Sequence, residues 1–517
     1  MQHSDLILQL QDPEIFDDPV ERFSVLETHI SWVLLAGDFA YKIKKPVNLG
    51  FLDFSTLEKR RHFCFEELRL NSRLAPDIYI EVVNITGNQD SPRINGTGGV
   101  IEYAVKMRRF EQQNLLVNLI QSGNFAPEYI DQLAADICGF HDTARIAERT
   151  SPFGTLESVL RPVKENFRQI RQFIGADYSN RLDPLEKWSL QEHHRRRSVF
   201  EKRKKDGKIK ECHGDLHLGN IVLYRNRITP FDGIEFNQSL NWIDVISEMA
   251  FLFMDLEYHK RTDLAFRALN TWLERTGDYG GLKVLRYYLV YRALVRAKVN
   301  CIRIRQNSEN EEFAISRNEF LKYLHQAETY IRPAKPRLII CHGLSASGKS
   351  TVSQHLLEIL PGIRIRSDVE RKRLFNLKSD QKSQSEINNG LYTDEISKLT
   401  YQRLAELASV IIESGYSVIV DGAFLLHEQR KQFRSLAEQY HIPFLIVHCK
   451  STKTMMIQRI MEREKFGTDP SEAGLEVLEH QMQSYRKLLP EELSYCIKIN
   501  TENKIDVMPI LKWHLNQ

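Results

Sequence analysis

The sequence predicts a multidomain protein in which a two-lobe α+β unit is followed by an α/β unit with a parallel sheet. Its 517 residues are too many for one hydrophobic core, so two or three domains are expected. Up to about residue 330, strand-like segments give way to a long helical region, as in a small β-rich lobe followed by a larger helical lobe. Beyond that point strands and helices alternate, which indicates a parallel sheet covered by helices.

Composition and charge are those of an ordinary globular protein. Hydrophobic residues make up 42% and charged residues 27%, and the net charge of +3 gives no case for bulk attraction to nucleic acid or membranes. Seven scattered cysteines without a Cys-x-x-Cys pair predict reduced thiols in a cytoplasmic setting and argue against structural zinc. We expect no signal peptide and no membrane helix, because no apolar run approaches the roughly 20 residues that a span needs.

The first lobe is expected at residues 1–110 and the helical lobe at 111–330. The expected elements of the first lobe are a hairpin with strands at 32–35 and 39–43, a helix at 57–74, and strands at 78–85 and 100–107. In the second lobe, residues 209–236 have the pattern of short strands around a loop, between helical stretches.

Two prolines and two basic residues mark a linker at 331–336, and the last domain is expected at 337–517. Its expected strands are 337–341, 363–367, 417–420, 444–447 and 496–499. Four segments between these strands have helical periodicity: 393–414, 427–440, 452–463 and 473–488.

The motif G-x-x-x-x-G-K-[ST] occupies residues 343–350, between an apolar strand and a helical pattern. A motif in this context is a P-loop. Its glycines let backbone N–H groups surround phosphate oxygens, and the helix N-terminus adds partial positive charge. Lys349 is expected to reach the β- and γ-phosphates of ATP, and Ser350 to hold Mg²⁺. The residues expected to bind ATP here are Gly343, Ser345, Ala346, Ser347, Gly348, Lys349, Ser350 and Thr351.

Two acids after the P-loop are further candidates. Asp421 ends an apolar strand at the edge where α/β sheets place ligands, so it is a candidate Mg²⁺ ligand, with an ordinary turn aspartate as the alternative. The segment 366–371 resembles the D-x-x-R segment of polynucleotide kinases and zeta-toxin-like kinases. That resemblance implies that Asp368 is the base toward a hydroxyl and Arg371 a phosphate clamp; a helix cap formed by Ser367 or Asp368 is the alternative.

Two arginines precede a segment that has the composition of a lid. Arg459 and Arg463 lie one turn apart on one face of an expected helix, and the lid is expected at 466–471. Lid arginines would close on the transferring phosphoryl group and exclude water. Ordinary surface arginines are the alternative.

Residues 213–220, HGDLHLGN, resemble the H-G-D-x-x-x-x-N loop of aminoglycoside and choline-type phosphotransferases, which are relatives of the protein kinases. The resemblance implies that Asp215 accepts the proton of an acceptor hydroxyl and that Asn220 binds Mg²⁺. Asp232 stands where the family's second metal-binding Asp is expected. The usual Asp-Phe-Gly is Asp-Gly-Ile-Glu here, so Glu235 is a rival or a second ligand.

The same resemblance implies a protein-kinase-like two-lobe fold with a strand lysine paired to a helical acid. Lys42 matches the lysine position, and Lys44 on the same strand face is the alternative. The paired acid is Glu67 or its neighbour Glu66, and the hinge for adenine is expected near 107–110. Asp244 and Glu248 resemble the acid that braces the loop in the family, with helix-surface charge as the alternative.

Taken together, these motifs resemble a bacterial fusion of an aminoglycoside-phosphotransferase-like domain with an AAA-type P-loop kinase domain. The resemblance implies a bifunctional phosphotransferase that uses ATP and Mg²⁺ on hydroxyl acceptors, a small molecule in the case of the first half. One alternative is a P-loop kinase or ATPase regulated by a non-catalytic nucleotide-sensing domain. Another is a nucleic-acid 5′-hydroxyl kinase that uses the basic runs 195–197 and 202–205, although the near-neutral charge does not favour nucleic acid.

Overall fold

The computed structural model describes residues 3–16, 20, 22–50, 52–88, 90–123, 125–175, 177–306, 311–378, 381, 393–466 and 473–515. These residues form two units, one from 1–165 with 200–255 and the other from 166–199 with 256–517. The predicted multidomain fold class, an α+β unit and an α/β unit with a parallel sheet, is confirmed. The finer domain boundaries, including a linker at 331–336, stay a prediction.

The first unit contains an antiparallel sheet with the strand order β1-β2-β3-β6-β4-β5. Its strands are β1 (Phe23–Glu27), β2 (Ser31–Ala36), β3 (Phe39–Lys44), β4 (Tyr79–Asn88), β5 (Ser91–Ile94) and β6 (Val100–Arg108), with helices α1 (His3–Gln9) and α2 (Leu57–Asn71). The expected hairpin of β2 and β3 is present. Alternation along β3 gives each face of the strand its own set of side chains, because successive residues of a strand point to opposite sides.

The chain then adds mostly helices. They are α3 (Leu116–Gln121), α4 (Glu128–Thr143), α5 (Leu156–Ile174), α6 (Ser179–Arg195), α7 (Arg197–Lys205), α8 (Gln238–Asn241) and α9 (Val245–Tyr258). Short strands pair in two ribbons: β7 (Ile209–Glu211) with β10 (Trp242–Asp244), and β8 (Ile221–Tyr224) with β9 (Arg227–Pro230). The loop 213–220 connects the two ribbons, so a paired strand holds each of its ends.

The second unit contains helices α10 (Thr262–Thr276), α11 (Leu282–Gln306) and α12 (Glu311–Tyr330) and a five-stranded sheet. The strands are β11 (Leu338–His342), β12 (Gly362–Arg366), β13 (Ser417–Asp421), β14 (Phe444–Lys450) and β15 (Cys496–Asn500). All their pairings are parallel, and the strand order is β12-β13-β11-β14-β15. Parallel strands end at one edge, which is where α/β folds bind ligands.

Helices cover this sheet. They are α13 (Lys349–Ile359), α14 (Ser367–Leu374), α15 (Asp394–Glu413), α16 (His427–Gln439), α17 (Lys453–Phe466), α18 (Leu475–Ser484) and α19 (Met508–Leu515). Buried side chains of α13, such as Val352 and Leu356, pack against Ile339 of β11 and Ile419 of β13. This packing fixes the start of α13 next to the ends of the central strands. None of the described helices is both long and apolar enough to cross a membrane.

Candidate active sites

Two lysines on β3 share one buried carboxylate. The Nζ of Lys42 lies 2.8 Å from Glu67 Oε1, and that of Lys44 lies 2.7 Å from Glu67 Oε2. Burial acts to raise the pKa of Glu67, but the two ammonium groups outweigh it and lower this pKa to about 2. The structure therefore pairs Glu67 with both candidate lysines, whereas the alternative acid, Glu66, lies 2.8 Å from Arg69.

The segment that replaces Asp-Phe-Gly supplies a further carboxylate to each lysine. Asp232 forms an ion pair with Lys42, and Glu235 forms one with Lys44. The Asp232 side chain is 42% exposed, whereas that of Glu235 is 4% exposed. With all five groups ionised, the three acids (Glu67, Asp232, Glu235) exceed the two lysines by one negative charge. The cluster thus has one negative charge that its lysines do not neutralise, which favours binding of a cation. Of the two rival ligands, Asp232 is the one that is exposed to solvent.

The loop 213–220 brings the predicted base and a predicted metal ligand together. Asn220 Nδ2 donates to Asp215 Oδ2 at 3.0 Å and to the Asp215 backbone oxygen at 3.1 Å. A single 3-10 turn at 218–220, which leads directly into β8, brings Asn220 back to Asp215. His217, which the sequence analysis did not single out, has Nε2 3.4 Å from Asp215 Oδ2. Its place inside the motif was the only signal for it.

Glu248 braces the backbone of this loop. Its Oε1 accepts hydrogen bonds from the N–H groups of His213 at 2.6 Å and Gly214 at 2.9 Å, and its Oε2 lies 2.6 Å from His141 Nε2. Burial acts to raise the pKa of Glu248, but the contact with His141 and these hydrogen bonds lower it to about 2. The carboxylate therefore stays charged and holds the loop, as the family resemblance implies.

Part of the basic run before the loop has local partners. Arg203 is buried, and its guanidinium lies 2.6 and 2.7 Å from the two oxygens of Asp244. Lys202 lies 2.9 Å from Asp206, and Lys204 donates to a backbone oxygen at 2.6 Å. Asp244 is therefore the partner of this run and not a second brace of the loop.

Three residues of the P-loop have positive φ angles, a region that glycine adopts without strain. The φ angles of Gly343, Ala346 and Gly348 are +154°, +58° and +85°. A Cβ at Gly348 would come within 2.8 Å of the Thr501 side chain, so space as well as φ requires glycine there. Thr501 Oγ1 donates to the Ser347 backbone oxygen at 2.8 Å. Thr501 was not among the predicted site residues, because nothing in the local sequence pattern after β15 marks it as a P-loop contact.

A pocket of about 510 Å³ lies over the P-loop. It collects most of the predicted residues of this unit: Ser345, Ala346, Gly348, Lys349, Ser350, Thr351, Asp368, Arg371, Asp421, Arg459 and Arg463. Gly343 and Ser347 line a neighbouring pocket instead. Lys349 Nζ donates to the Leu344 backbone oxygen at 2.7 Å, and the Ser345 N–H donates to Gln481 Oε1 at 2.7 Å. Two groups that are predicted to bind phosphate thus make hydrogen bonds to protein atoms in this structure.

An arginine connects the two predicted Mg²⁺ ligands of this pocket. Arg366 Nη2 lies 3.4 Å from Ser350 Oγ, and Arg366 Nε lies 3.6 Å from Asp421 Oδ2. Ser353 Oγ on α13 lies 3.3 Å from the same Asp421 oxygen. Asp421 is the last residue of β13 and is 5% exposed, which fits a buried site residue better than an ordinary turn aspartate.

The D-x-x-R segment forms an internal pair. Asp368 Oδ1 lies 3.0 Å from Arg371 Nη1, and both side chains line the pocket. Helix α14 begins at Ser367 with Arg366 as the N-cap residue and without a side-chain cap hydrogen bond. The capping alternative for Ser367 or Asp368 is therefore not what the structure shows.

The two arginines of α17 contact backbone oxygens around the pocket. Arg459 Nη1 lies 3.2 Å from the Ala346 oxygen and 3.1 Å from Thr501 Oγ1, and Arg463 donates to the Ala473 oxygen. Both therefore face the pocket. The predicted lid segment lies outside the described residues apart from the backbone of Phe466. Helix α18 ends at Ser484, four residues before the predicted end, where the chain turns extended at Tyr485.

Helix α10 contributes an acid that the sequence analysis did not single out. Glu274 Oε1 lies 2.8 Å from Arg364 Nε, and its Oε2 lies 3.9 Å from Arg366 Nη1. Asn270, one turn earlier, accepts a hydrogen bond from the Arg364 N–H at 2.6 Å. Glu274 thus holds two arginines of β12, one of which reaches both predicted Mg²⁺ ligands. No sequence signal marks it, since 90 residues separate it from Arg364.

Fold and geometry thus give a chain with two candidate sites, one around Lys42 and Asp215 and one around Lys349. Residues 338–488 match the family model described as an AAA domain. The chain belongs to the family of Uncharacterized protein Rv2004c of Mycobacterium tuberculosis, with which it is 30% identical over 459 residues, or 88% of this chain and 89% of that protein. Uncharacterized protein Mb2027c of Mycobacterium bovis matches with the same identity and coverage.

Solved structures similar to this chain include two types of kinase. A choline kinase from Cryptosporidium parvum has a TM-score of 0.39 and 10% identity, and the match covers 63% of this chain and 95% of that one. A gluconokinase from Sinorhizobium meliloti has a TM-score of 0.25 and 18% identity, over 35% of this chain and 91% of that one.

Proposed function

We propose that the protein is a bifunctional phosphotransferase that moves the γ-phosphoryl group of ATP to hydroxyl acceptors. Each unit would hold one active site, and the acceptor of the first unit would be a small molecule with an alcohol group. One observation supports the proposal: each unit has its own candidate phosphate-binding lysine, candidate base and pair of candidate metal ligands. A chain with a single nucleotide site would need only one such set.

In the first unit, Lys42 would bind the α- and β-phosphates, and Glu67 would hold its ammonium in place. Asp215 would accept the proton of the acceptor hydroxyl as that oxygen attacks the γ-phosphorus. The hydrogen bond from Asn220 orients the Asp215 carboxylate, and the brace from Glu248 fixes the backbone of the loop. These contacts support preorganised positioning, which supplies most of the catalysis in phosphoryl transfer.

Asp232, together with Asn220, would hold Mg²⁺ in this unit. Mg²⁺ prefers oxygen ligands and neutralises charge on the phosphates when bound. The excess of one carboxylate in the cluster fits an added cation. Glu235 is assigned a different part: it is buried against Lys44 and balances that lysine, so the longer acid of the altered segment is a structural counter-ion.

In the second unit, Lys349 would bind the β- and γ-phosphates, and Ser350 with Asp421 would hold Mg²⁺. The buried carboxylate of Asp421 and the hydroxyl of Ser350 are oxygen donors of the kind that Mg²⁺ takes. Asp368 would be the base toward the acceptor, with Arg371, Arg459 and Arg463 stabilising charge on the transferring group. Each of these side chains lines the same pocket, which supports a shared role.

The test is a phosphorylation screen of a small-metabolite pool with γ-labelled ATP and Mg²⁺. Asp215→Asn and Lys349→Ala each disable one proposed site, and exposed Asp90→Asn and Lys335→Ala are the matched controls. We expect each site variant to remove a different set of labelled products, by about 100-fold or more, since general-base catalysis contributes about 10²–10⁴-fold. The controls should keep both sets.

Two outcomes would overturn parts of the proposal. If Asp215→Asn keeps every labelled product while it still binds ATP, the first unit is a nucleotide-sensing domain and not an enzyme. If the labelled products are polynucleotide 5′ ends and binding falls steeply with salt, the acceptor is nucleic acid and the small-molecule assignment is wrong.

A further inference from the structure

A second pocket of about 510 Å³ lies beside the P-loop, and no residue lines both pockets. Its walls come from Gly343, Leu344 and Ser347 of the P-loop, from the end of β14 at 448–451, and from the segment 485–493. Ser347 faces this pocket, whereas Lys349 faces the other one. The two pockets therefore lie on different sides of the same loop. We call this second one the basic pocket, after Lys450, Lys487 and Lys498 in its lining.

Positive charge dominates the basic pocket. Its lining contains Lys450, Lys487 and Lys498 and no acid. Within the described part of the chain, none of these three lysines has a carboxylate within ion-pair distance. Burial, followed by the ammonium groups of Lys450 and Lys498, lowers the pKa of His448 to about 4. At neutral pH the pocket thus carries three positive charges and a neutral imidazole.

Three buried polar atoms of residues that line the basic pocket have no hydrogen-bond partner among the described atoms. They are Ser347 Oγ, Ser451 Oγ and His448 Nδ1, and Ser347 is 2% exposed. A buried polar atom without a partner costs about 1–3 kcal/mol, so such atoms are usually paired in proteins. These atoms are buried beneath the lining, so the ligand contacts of the pocket come from its lysines and apolar side chains.

The fold explains why these groups meet. His448 of β14 is in register with Lys498 of β15 and with His342 of β11. Residues in register on neighbouring strands point to the same face of the sheet, and Lys450, two positions after His448, follows them. The centroids of the His342 and His448 rings are 4.7 Å apart.

The remaining wall is apolar. Leu344, Met456, Tyr485, Leu488 and Leu493 line it. An apolar wall and a basic rim are complementary to a ligand with an apolar body and one acidic group. The volume lies within the range of about 300–1,000 Å³ that small-molecule sites occupy.

We propose that the basic pocket binds a small organic anion: an apolar or aromatic body that carries a carboxylate, phosphate or sulfonate group. The site is separate from both proposed phosphotransfer sites, and the inference does not depend on catalysis. A ligand there would contact the P-loop at Leu344 and Ser347, on the side away from the nucleotide.

Two matched dyes test the proposal on the full-length protein. The aromatic sulfonate 8-anilinonaphthalene-1-sulfonate has an uncharged counterpart, N-phenyl-1-naphthylamine, which lacks only the acidic group. We expect one high-affinity sulfonate site per chain, retained in saturating MgATP. The double variant Lys450→Ala with Lys498→Ala should weaken binding of the sulfonate dye about 10-fold and change binding of the uncharged dye by no more than about 2-fold. The reason is that exposed lysines attract the dye only through its charge. Both lysines are exposed, so this variant should fold.

The control is Lys335→Ala with Lys512→Ala, two exposed lysines outside the pocket, which should bind both dyes as wild type does. Benzoate and phenyl phosphate, used as competitors, distinguish a carboxylate from a phosphate preference. The proposal fails if the Lys450 and Lys498 variant weakens both dyes equally or neither, if neither competitor displaces the sulfonate, or if MgATP displaces it competitively.

Discussion

Replacing Glu67 with glutamine removes the one negative charge that both lysines of β3 share. In the wild-type protein each carboxylate oxygen accepts a hydrogen bond from a different ammonium group, at 2.8 and 2.7 Å. Glutamine has nearly the same shape but is neutral, and its NH₂ group would face one of the two ammonium groups. Lys44 is 1% exposed, so water cannot replace the lost partner.

The magnitude follows from burial. A hydrogen bond to a charged group contributes about 1.5–3 kcal/mol; one is lost, and the other keeps only a neutral oxygen as its acceptor. The loss of the negative charge adds to this, since removing one partner of a buried ion pair costs about 3–5 kcal/mol in total. We therefore expect Glu67→Gln to lower the free energy of unfolding of the first unit by about 3–5 kcal/mol. The neighbouring Glu66 forms an exposed pair with Arg69, with side chains 28% and 40% exposed, so Glu66→Gln should cost no more than about 1 kcal/mol.

Hydrogen exchange followed by mass spectrometry measures this difference within one unit of a two-unit chain. Peptides that cover β3 and α2 should lose protection in Glu67→Gln by the equivalent of several kcal/mol, while Glu66→Gln matches the wild-type protein. Peptides from β11 and α13 in the second unit serve as an internal reference. Equal protection in the two variants would refute the argument that the lysines depend on Glu67.

Three more changes have defined outcomes. Gly348→Ala should abolish ATP binding to the second unit in a binding titration, since its Cβ would press on Thr501 at an unfavourable φ; wild-type affinity would contradict this. Glu274→Gln should lower the kcat of the second unit about 10-fold, with the KM for ATP within about 2-fold, because Arg366 loses its orientation; an unchanged kcat in steady-state assays would show that Glu274 is dispensable. Finally, the pKa of Glu67 is lowered from 4.5 to about 2, so its stabilising effect is present above about pH 4.5 and declines as the pH falls toward 2. Acid titrations of wild type and Glu67→Gln should therefore converge toward pH 2, and a constant difference would argue against this.

Local sequence patterns predicted many of the residues that the structure brings together in the two candidate sites. The spacing of glycines and Lys349 between a strand and a helix encodes the P-loop, because backbone conformation and neighbouring residues alone determine that shape. Alternation along β3 predicted Lys42 and Lys44 on one face, and in the structure both contact Glu67. The acid at Glu67 came from family resemblance, and its contacts with both lysines needed the structure.

Contacts between distant segments could not be predicted in this way. Glu235 and Lys44 are 191 positions apart in the sequence, and no periodicity relates them. Glu274 and Thr501 belong to none of the sequence motifs of the second site. Tertiary packing alone brings Glu274 to β12 and Thr501 to Gly348. Their short-range sequence context is that of an ordinary helix face and an ordinary strand end.

The central claim is that one chain contains two independent sites for ATP with Mg²⁺. Isothermal titration calorimetry of the full-length protein tests it most directly. We expect two nucleotides per chain in the wild-type protein and one in Lys349→Ala, with the remaining site lost when Lys42→Ala is added. One nucleotide per chain in the wild type, lost entirely in Lys349→Ala, would contradict the claim.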